Sequence, residues 1–225
     1  MKQAIAVLAH KNFCHLEKLL KSFDENFLFY IHIDSASDFT RSEIETIRAY
    51  RNVAYVSTKT NINWGSSLIV KNILMLIAEI LKDKTIQYAH LISGQDFLIK
   101  SSSEITQYLT NNKGKEFIIY FSLPSDVWTE GGLNRIRYYY LFDLLKARTG
   151  VLRKLNNFLV WVQKGLGVNR KFLPNGLKIY GGRMWWTLSY GCLEFIKNFV
   201  DDNPELLKSF KHTFCSDEIM FPTIL

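Results

Sequence analysis

Apolar and polar positions along this chain fall into two alternating patterns. Short, nearly continuous apolar runs give way to longer stretches in which apolar residues recur every three or four positions. The first pattern fits buried strands and the second amphipathic helices. Residues 2–9 read as a strand. Residues 12–23 read as a helix with Phe13, Leu16, Leu19, Leu20 and Phe23 on one side. A strand over 27–33, a polar helix over 41–50 and a short strand over 53–57 follow. Leu68, Ile69, Ile73, Leu76, Ile77 and Ile80 mark a strong helix over 66–81. A strand over 86–92, a helix over 102–109 and a strand over 116–121 complete this part. Repeated βα units with short connections predict an α/β fold: a mostly parallel, Rossmann-type sheet with helices on both faces. No domain boundary is expected before about residue 122.

Residues 124–182 break the rhythm. They are aromatic, basic and irregular, with Gly131-Gly132 and the run Tyr138, Tyr139, Tyr140. The segment reads as an excursion from the sheet of the kind that builds a binding site or lid. A strand over 185–189, a helix over 191–200 and a last helix capped by Ser216 follow. The whole reads as one domain, 1–225, without internal repeats.

Composition narrows the class. Hydrophobic residues are 48% and aromatics 14%, which excludes disorder. No uncharged apolar run reaches the roughly 18 residues a membrane span needs. The start is too short in apolar residues for a signal peptide, and Lys11 follows at once. Cys14, Cys192 and Cys215 are too scattered for a disulfide framework and read as reduced thiols, which predicts a cytoplasmic chain.

The net charge is +7, and it is concentrated. Between 146 and 171 lie Lys146, Arg148, Arg153, Lys154, Lys164, Arg170 and Lys171 with no acid, whereas the rest of the chain is balanced. One local anionic partner fits this better than a nucleic acid does. Within the segment Val151, Leu152, Leu155, Phe158, Leu159 and Val162 share a helical face, opposite Arg153, Lys154, Asn156, Asn157 and Gln163, with Trp161 near the boundary. That pattern fits a helix lying on an anionic membrane, peripheral at the inner face of the cell membrane. It fits equally a helix packed on the domain with a solvated basic face.

The sharpest chemical signal is Tyr88-Ala-His-Leu-Ile-Ser-Gly-Gln-Asp96, an apolar run that stops at Ser93-Gly94 and delivers a carboxylate. The run ending at Asp34 has the same design. In open α/β sheets ligands gather where strands end, so two strand-end acids suggest a site. Asp34 also suits a plain turn, and Asp96 a cap of the turn leading to Ser101. His10 after the first strand is a ligand contact or a loop histidine. Trp64-Gly65 is a pocket wall or a core anchor. Trp185 and Trp186 should point to opposite faces, one into the core. No Asp-x-Asp metal motif occurs. His32 and Asp34 could together hold a metal, although such a pair on a strand more often serves packing and a polar edge.

Taken in order, six segments resemble a known family: Leu8-Ala-His-Lys11, Ile31-His-Ile-Asp34, Asn63-Trp-Gly-Ser66, Leu91-Ile-Ser-Gly-Gln-Asp-Phe97, Gly181-Gly-Arg-Met-Trp-Trp-Thr-Leu188 and Ser216-Asp-Glu-Ile-Met-Phe-Pro-Thr223. The chain resembles the core-2/I-branching β-1,6-N-acetylglucosaminyltransferases in a bacterial form, with peptide xylosyltransferases as relatives. The resemblance implies a GT-A-like sheet and inverting, metal-independent transfer of a sugar, N-acetylglucosamine first, from a UDP-sugar to a hydroxyl of an acceptor glycan. No cofactor is implied. Residues 1–121 would form the nucleotide-binding half, and 122–225 the acceptor half with an insertion over 122–180. Glu218 is the general base it points to, with Glu130 a second catalytic candidate. His10, Asp34, Trp64, Gly65, Ser93, Gly94, Gln95 and Asp96 fall to the donor. Arg135, Arg137, Gly182, Trp185, Trp186 and Asp217 fall to the acceptor.

Two departures carry expectations of their own. Leu98 stands where the family has proline after the Asp-Phe pair. Family members also continue past the Asp-Glu helix into a region whose Arg and Lys residues hold the donor diphosphate, so a chain ending at Leu225 is expected to lack that part. The alternative reading is a truncated, inactive remnant that binds glycan or nucleotide.

Overall fold

A computed structural model describes residues 1–146, 149–170 and 177–225. Six strands form one mixed, mostly parallel sheet in the order β3-β2-β1-β4-β6-β5. They are β1 (Lys2–Ala9), β2 (Phe27–Ile33), β3 (Val53–Ser57), β4 (Ile86–Ser93), β5 (Phe117–Ser122) and β6 (Tyr180–Ser189). The α/β, mostly parallel fold expected from the periodicity is the one observed. The chain divides into two compact units that interleave in sequence. The first is Met1–Asn61, Asn72–Ile118 and Trp185–Phe195; the second is Ile62–Lys71, Ile119–Met184 and Ile196–Leu225.

In the first unit β1 is central, with β2 and β4 parallel on either side. Almost every residue of β1 and β2 is buried. A strand covered on both faces needs apolar residues at odd and even positions alike, which explains the continuous runs. Helices α1 (Phe13–Ser22), α2 (Arg41–Arg48), α3 (Leu68–Ile80) and α4 (Ser102–Asn111) occupy the connections. Thr40 with Glu43, and Ser101 with Glu104, close reciprocal capping boxes at the starts of α2 and α4. A buried polar chain crosses the sheet: Gln3 donates to Thr106, and the His90 ring bonds Gln3 Oε1 and Thr187 Oγ1 at 2.9 and 2.8 Å. Burial pushes the His90 pKa down to about 4, so the ring is neutral.

The second unit holds α5 (Asn134–Arg137), α6 (Gly150–Gly165), α8 (Pro204–Phe210) and α9 (Asp217–Ile224); α7 (Tyr190–Asp202) runs through residues of both units. Strand β6 starts five residues before the expected 185, taking in Gly181 and Gly182. A Cβ on Gly182 would lie 2.0 Å from the Ile119 carbonyl oxygen, so only glycine fits there. Helix α8 was not expected at all.

Two local readings are corrected. Ser216 does not cap α9: its backbone is already helical and its hydroxyl makes no cap bond. The packed reading of α6 is corrected in part. Arg153, Lys154 and Lys164 are exposed as expected. The packed side is mixed, however, with Asn156 buried and accepting the Leu141 N–H at 2.9 Å and Val160 set against the Tyr140 and Phe142 rings. Its apolar side turns outward: Val151 is 80% and Trp161 69% exposed, with Leu155 and Phe158 also exposed. Arg148 and Lys171 of the basic segment lie outside the described residues.

Candidate functional site

In the first unit the strand-end residues meet along one edge. Ala9 is paired with Ile33, and Leu8 with Ser93. The Asp34 N–H then donates to the Ala9 carbonyl at 2.8 Å, and the Gly94 N–H to the Leu8 carbonyl at 2.9 Å. Asp34 and Asp96 therefore follow strands that flank β1 and sit on the same rim. A Cβ on Gly94 would come within 2.9 Å of the Ala9 Cβ, so the absence of a side chain lets β4 leave the sheet against β1.

Both acids also shape the backbone. The Asp34 carboxylate accepts the Ala36 N–H at 2.8 Å. The Asp96 carboxylate accepts the Ser93 N–H at 2.7 Å, while Gln95 donates from its side chain to the Lys11 and Gly94 carbonyls. Each thus has a turn-closing function alongside any ligand contact. Asp96 and His10 are exposed on this rim, and Asp34 is partly so. His32 is buried, bonded through Nε2 to the Thr60 carbonyl at 3.2 Å, and burial lowers its pKa. Among the described residues no group of three or more His, Cys, Asp or Glu could hold a metal ion. On β6, Trp185 is 41% exposed and Trp186 3%, opposite faces as strand alternation requires.

The second unit gathers a different set. The Gly65 carbonyl accepts the Cys215 N–H at 3.1 Å, and the Arg135 carbonyl accepts the Phe214 N–H at 3.1 Å. These two bonds draw the 63–66 loop, α5 and the start of α9 together. Arg135 Nη1 donates to Glu218 at 2.5 Å, with its guanidinium 3.7 Å from the centre of the Trp128 ring. A cation held between a carboxylate and an aromatic face is fixed in orientation.

Next to Glu218, Asp217 is 5% exposed, and its Oδ1 has no hydrogen-bond partner among the described residues. Burial first, then the Glu218 charge, push its pKa up to about 7. Asn63, Ser66, Asn134 and Ser216 also carry buried oxygens without partners among the described residues. Buried polar atoms without protein partners are candidates for contact with a bound molecule, and these five belong to the second unit. Sequence patterning assigned Trp128 and Cys215 no role, and marked Asn63 only as the first residue of the Asn63-Trp-Gly-Ser66 segment, because their contacts are made across tens of residues.

The remaining candidates are placed as follows. Glu130 is exposed, has a left-handed backbone at φ 54°, and pairs with Lys164 at 2.6 Å. Arg137 is exposed on α5. Gly182 is enclosed by Ile119 and Pro222, so packing alone accounts for it. Gly65, at φ 80°, lies under the Phe214 and Phe142 rings, and Trp64 meets both rings edge-on.

Comparison with known proteins places this geometry. A xylosyltransferase of Ciona intestinalis is 24% identical over 203 residues, covering 88% of this chain and 21% of the relative. Xylosyltransferase 2 of Homo sapiens is 23% identical over 217 residues, covering 93% of this chain and 22% of the relative. The chain thus spans about a fifth of the length of the curated relatives it matches. A crystal structure of S. aureus TarS, residues 1–349, matches with a TM-score of 0.37 and 13% identity, covering 72% of this chain and 56% of that one. The same TarS segment in complex with UDP matches at a TM-score of 0.35 and 12% identity, covering 56% and 36%. The model of the Core-2/I-Branching enzyme family matches residues 4–225. With that match over nearly its whole length, the chain belongs to the Core-2/I-Branching enzyme family.

Proposed function

We propose that the protein is an inverting glycosyltransferase that moves a sugar, N-acetylglucosamine first among donors, from a UDP-sugar to a hydroxyl of an acceptor glycan without a metal. The observation that carries this reading is the half-buried Glu218, oriented by Arg135 beside a buried carboxyl and a cluster of orphaned oxygens. Glu218 is the base because its side chain is 26% exposed and paired with Arg135, whereas Asp217 holds its proton up to about pH 7.

Glu218 takes the proton of the acceptor hydroxyl. The oxygen then bonds to the anomeric carbon from the face opposite UDP. The bond from that carbon to the diphosphate breaks, its electron pair leaves with UDP, and the configuration inverts. Asp217, protonated near neutrality, donates a hydrogen bond to a sugar oxygen. The rim formed by His10, Asp34 and Ser93–Asp96 takes the donor, Asp34 its nucleoside part. Arg137 is a further cation for acceptor or phosphate oxygens.

The test is direct. UDP should raise the melting temperature in the presence of EDTA, and UDP should be released when UDP-N-acetylglucosamine and an acceptor glycan are supplied. UDP binding without release would favour the inactive remnant.

We also place the outward apolar face of α6, flanked by Arg153, Lys154 and Lys164, against an anionic membrane surface. Charge complementarity supports this, since no acidic residue lies between 146 and 171. No described helix is long and apolar enough to cross a membrane.

A further inference from the structure

Two pairs of adjacent glycines, Gly131-Gly132 and Gly181-Gly182, lie far apart in the chain, and one indole accounts for a member of each. A Cβ on Gly132 would lie 2.6 Å from Trp128 Cε3. A Cβ on Gly181 would lie 2.5 Å from Trp128 Cζ3 and 2.7 Å from Cη2. Carbon atoms do not approach that closely, so both positions must lack a side chain for the ring to sit where it does. Phe121 meets the same ring edge-on at a centroid distance of 5.0 Å. The Trp128 side chain therefore stands in a slot bounded by the 129–132 turn and by β6, all within the second unit.

What the slot presents is a flat aromatic face to Arg135. The guanidinium carbon is 3.7 Å from the centre of the Trp128 ring, which is contact distance for two stacked planes. The Phe214 ring is 5.3 Å away, near the outer limit of about 6 Å for such an attraction, so Trp128 is the main support. Arg135 then donates from Nη1 to Glu218 at 2.5 Å, with both side chains partly buried. A single hydrogen bond would leave a long side chain free to pivot about it. A ring stacked on the guanidinium removes that freedom, because the planar group can then turn only in its own plane.

We infer that Trp128 is a positioning residue: its indole, seated between Gly132 and Gly181, sets the direction of the Arg135 guanidinium and through it that of the Glu218 carboxylate. The role of Glu218 rests on the transfer reading above; the seating of Arg135 on Trp128 does not. A misdirected carboxylate leaves the donor rim of the first unit unchanged. The loss should therefore fall on kcat and not on the KM for the sugar nucleotide.

The experiment joins NMR to steady-state kinetics on the full chain. In the wild type the Arg135 Nε–H signal, assigned by its absence from Arg135→Lys, should be displaced by the ring current of the indole. Trp128→Leu removes the aromatic face and Trp128→Phe keeps a smaller one. Trp128→Leu should abolish the displacement. It should also lower kcat about tenfold or more for UDP release from UDP-N-acetylglucosamine, with N-acetyllactosamine as acceptor probe and the donor KM unchanged. Trp128→Phe should restore most of both. If Trp128→Leu fails to fold, Gly181→Ala, whose methyl presses on the indole from β6, reads the same two quantities. An undisplaced Arg135 signal in the wild type overturns the proposal, as does a folded Trp128→Leu with wild-type kcat or with a raised KM alone. If the wild-type signal is displaced but no UDP is released, the transfer reading fails and the seating of Arg135 stands.

Discussion

Arg135 is held between Glu218, at 2.5 Å from its Nη1, and the Trp128 ring, at 3.7 Å from its guanidinium carbon. The pair joins residues 83 positions apart in sequence and fixes the direction in which the carboxylate points. Glu218→Gln should lower the rate of UDP release about 10²–10⁴-fold, the usual effect of losing a general base, with the UDP-induced melting shift preserved. Arg135→Lys keeps the charge but loses the planar fork, so its activity should fall between wild type and Glu218→Gln. Full activity in Glu218→Gln would remove Glu218 from the mechanism.

Two buried groups give opposing pH dependences. Asp217 keeps its proton in the fold up to about pH 7, against 3.8 in the unfolded chain, so its contribution is lost as pH rises from 3.8 to 7. His90 stays neutral in the fold down to about pH 4, against 6.5 unfolded, so its contribution is lost as pH falls from 6.5 to 4. Between pH 4 and 6.5 the two nearly cancel. Asp217→Asn should therefore tilt the melting temperature upward with pH across this window, and His90→Gln should tilt it downward. Each tilt is on the order of a few kcal/mol. Parallel pH profiles for wild type and both variants would contradict the burial of these groups.

Gly182→Ala places a methyl group 2.0 Å from the Ile119 carbonyl oxygen, where backbone would have to move. We expect a loss of about 3 kcal/mol or more, read as a drop in the urea midpoint. Gly114→Ala, whose Cβ would meet nothing but whose φ is 86°, should cost less, about 1 kcal/mol.

The outward face of α6 predicts binding to vesicles that contain phosphatidylglycerol, weaker at high salt and absent from purely zwitterionic vesicles. Phe158→Ser and Trp161→Ser should abolish it without lowering the melting temperature, since both side chains are exposed. If these variants instead turn a dimer into a monomer and vesicle binding is nil, the face covers a second copy of the chain.

How much of this could be read from the sequence depended on how local its cause was. Strands β1 and β2 were legible to the residue because strands buried on both faces are apolar at nearly every position and end at turn formers. The edge strand β3, only partly buried, was legible from its run of β-forming residues. The first half of β6 was not: Gly181, Gly182 and Arg183 have no strand signature, and pairing with a neighbour holds them there. Helix α8 had a signal in Pro204 at its first turn and Leu206 and Phe210 four apart, but it is only seven residues long. The periodicity of α6 revealed a stripe, yet a stripe does not state which side docks; the buried Asn156 bond to Leu141 decided that. The rim acids were legible because strand ends announce themselves. The Arg135–Glu218 pair and the Trp128 ring against it were not, since no periodic pattern links positions 128, 135 and 218.

The contact between Gly94 and Ala9 makes two distant positions behave as one. A larger residue at 9 would collide with the departing strand as surely as a side chain at 94 would, so neither can grow unless the other retreats. Loop residues around them are free to diversify as ligands change, while this pair is bound to drift together or stand still.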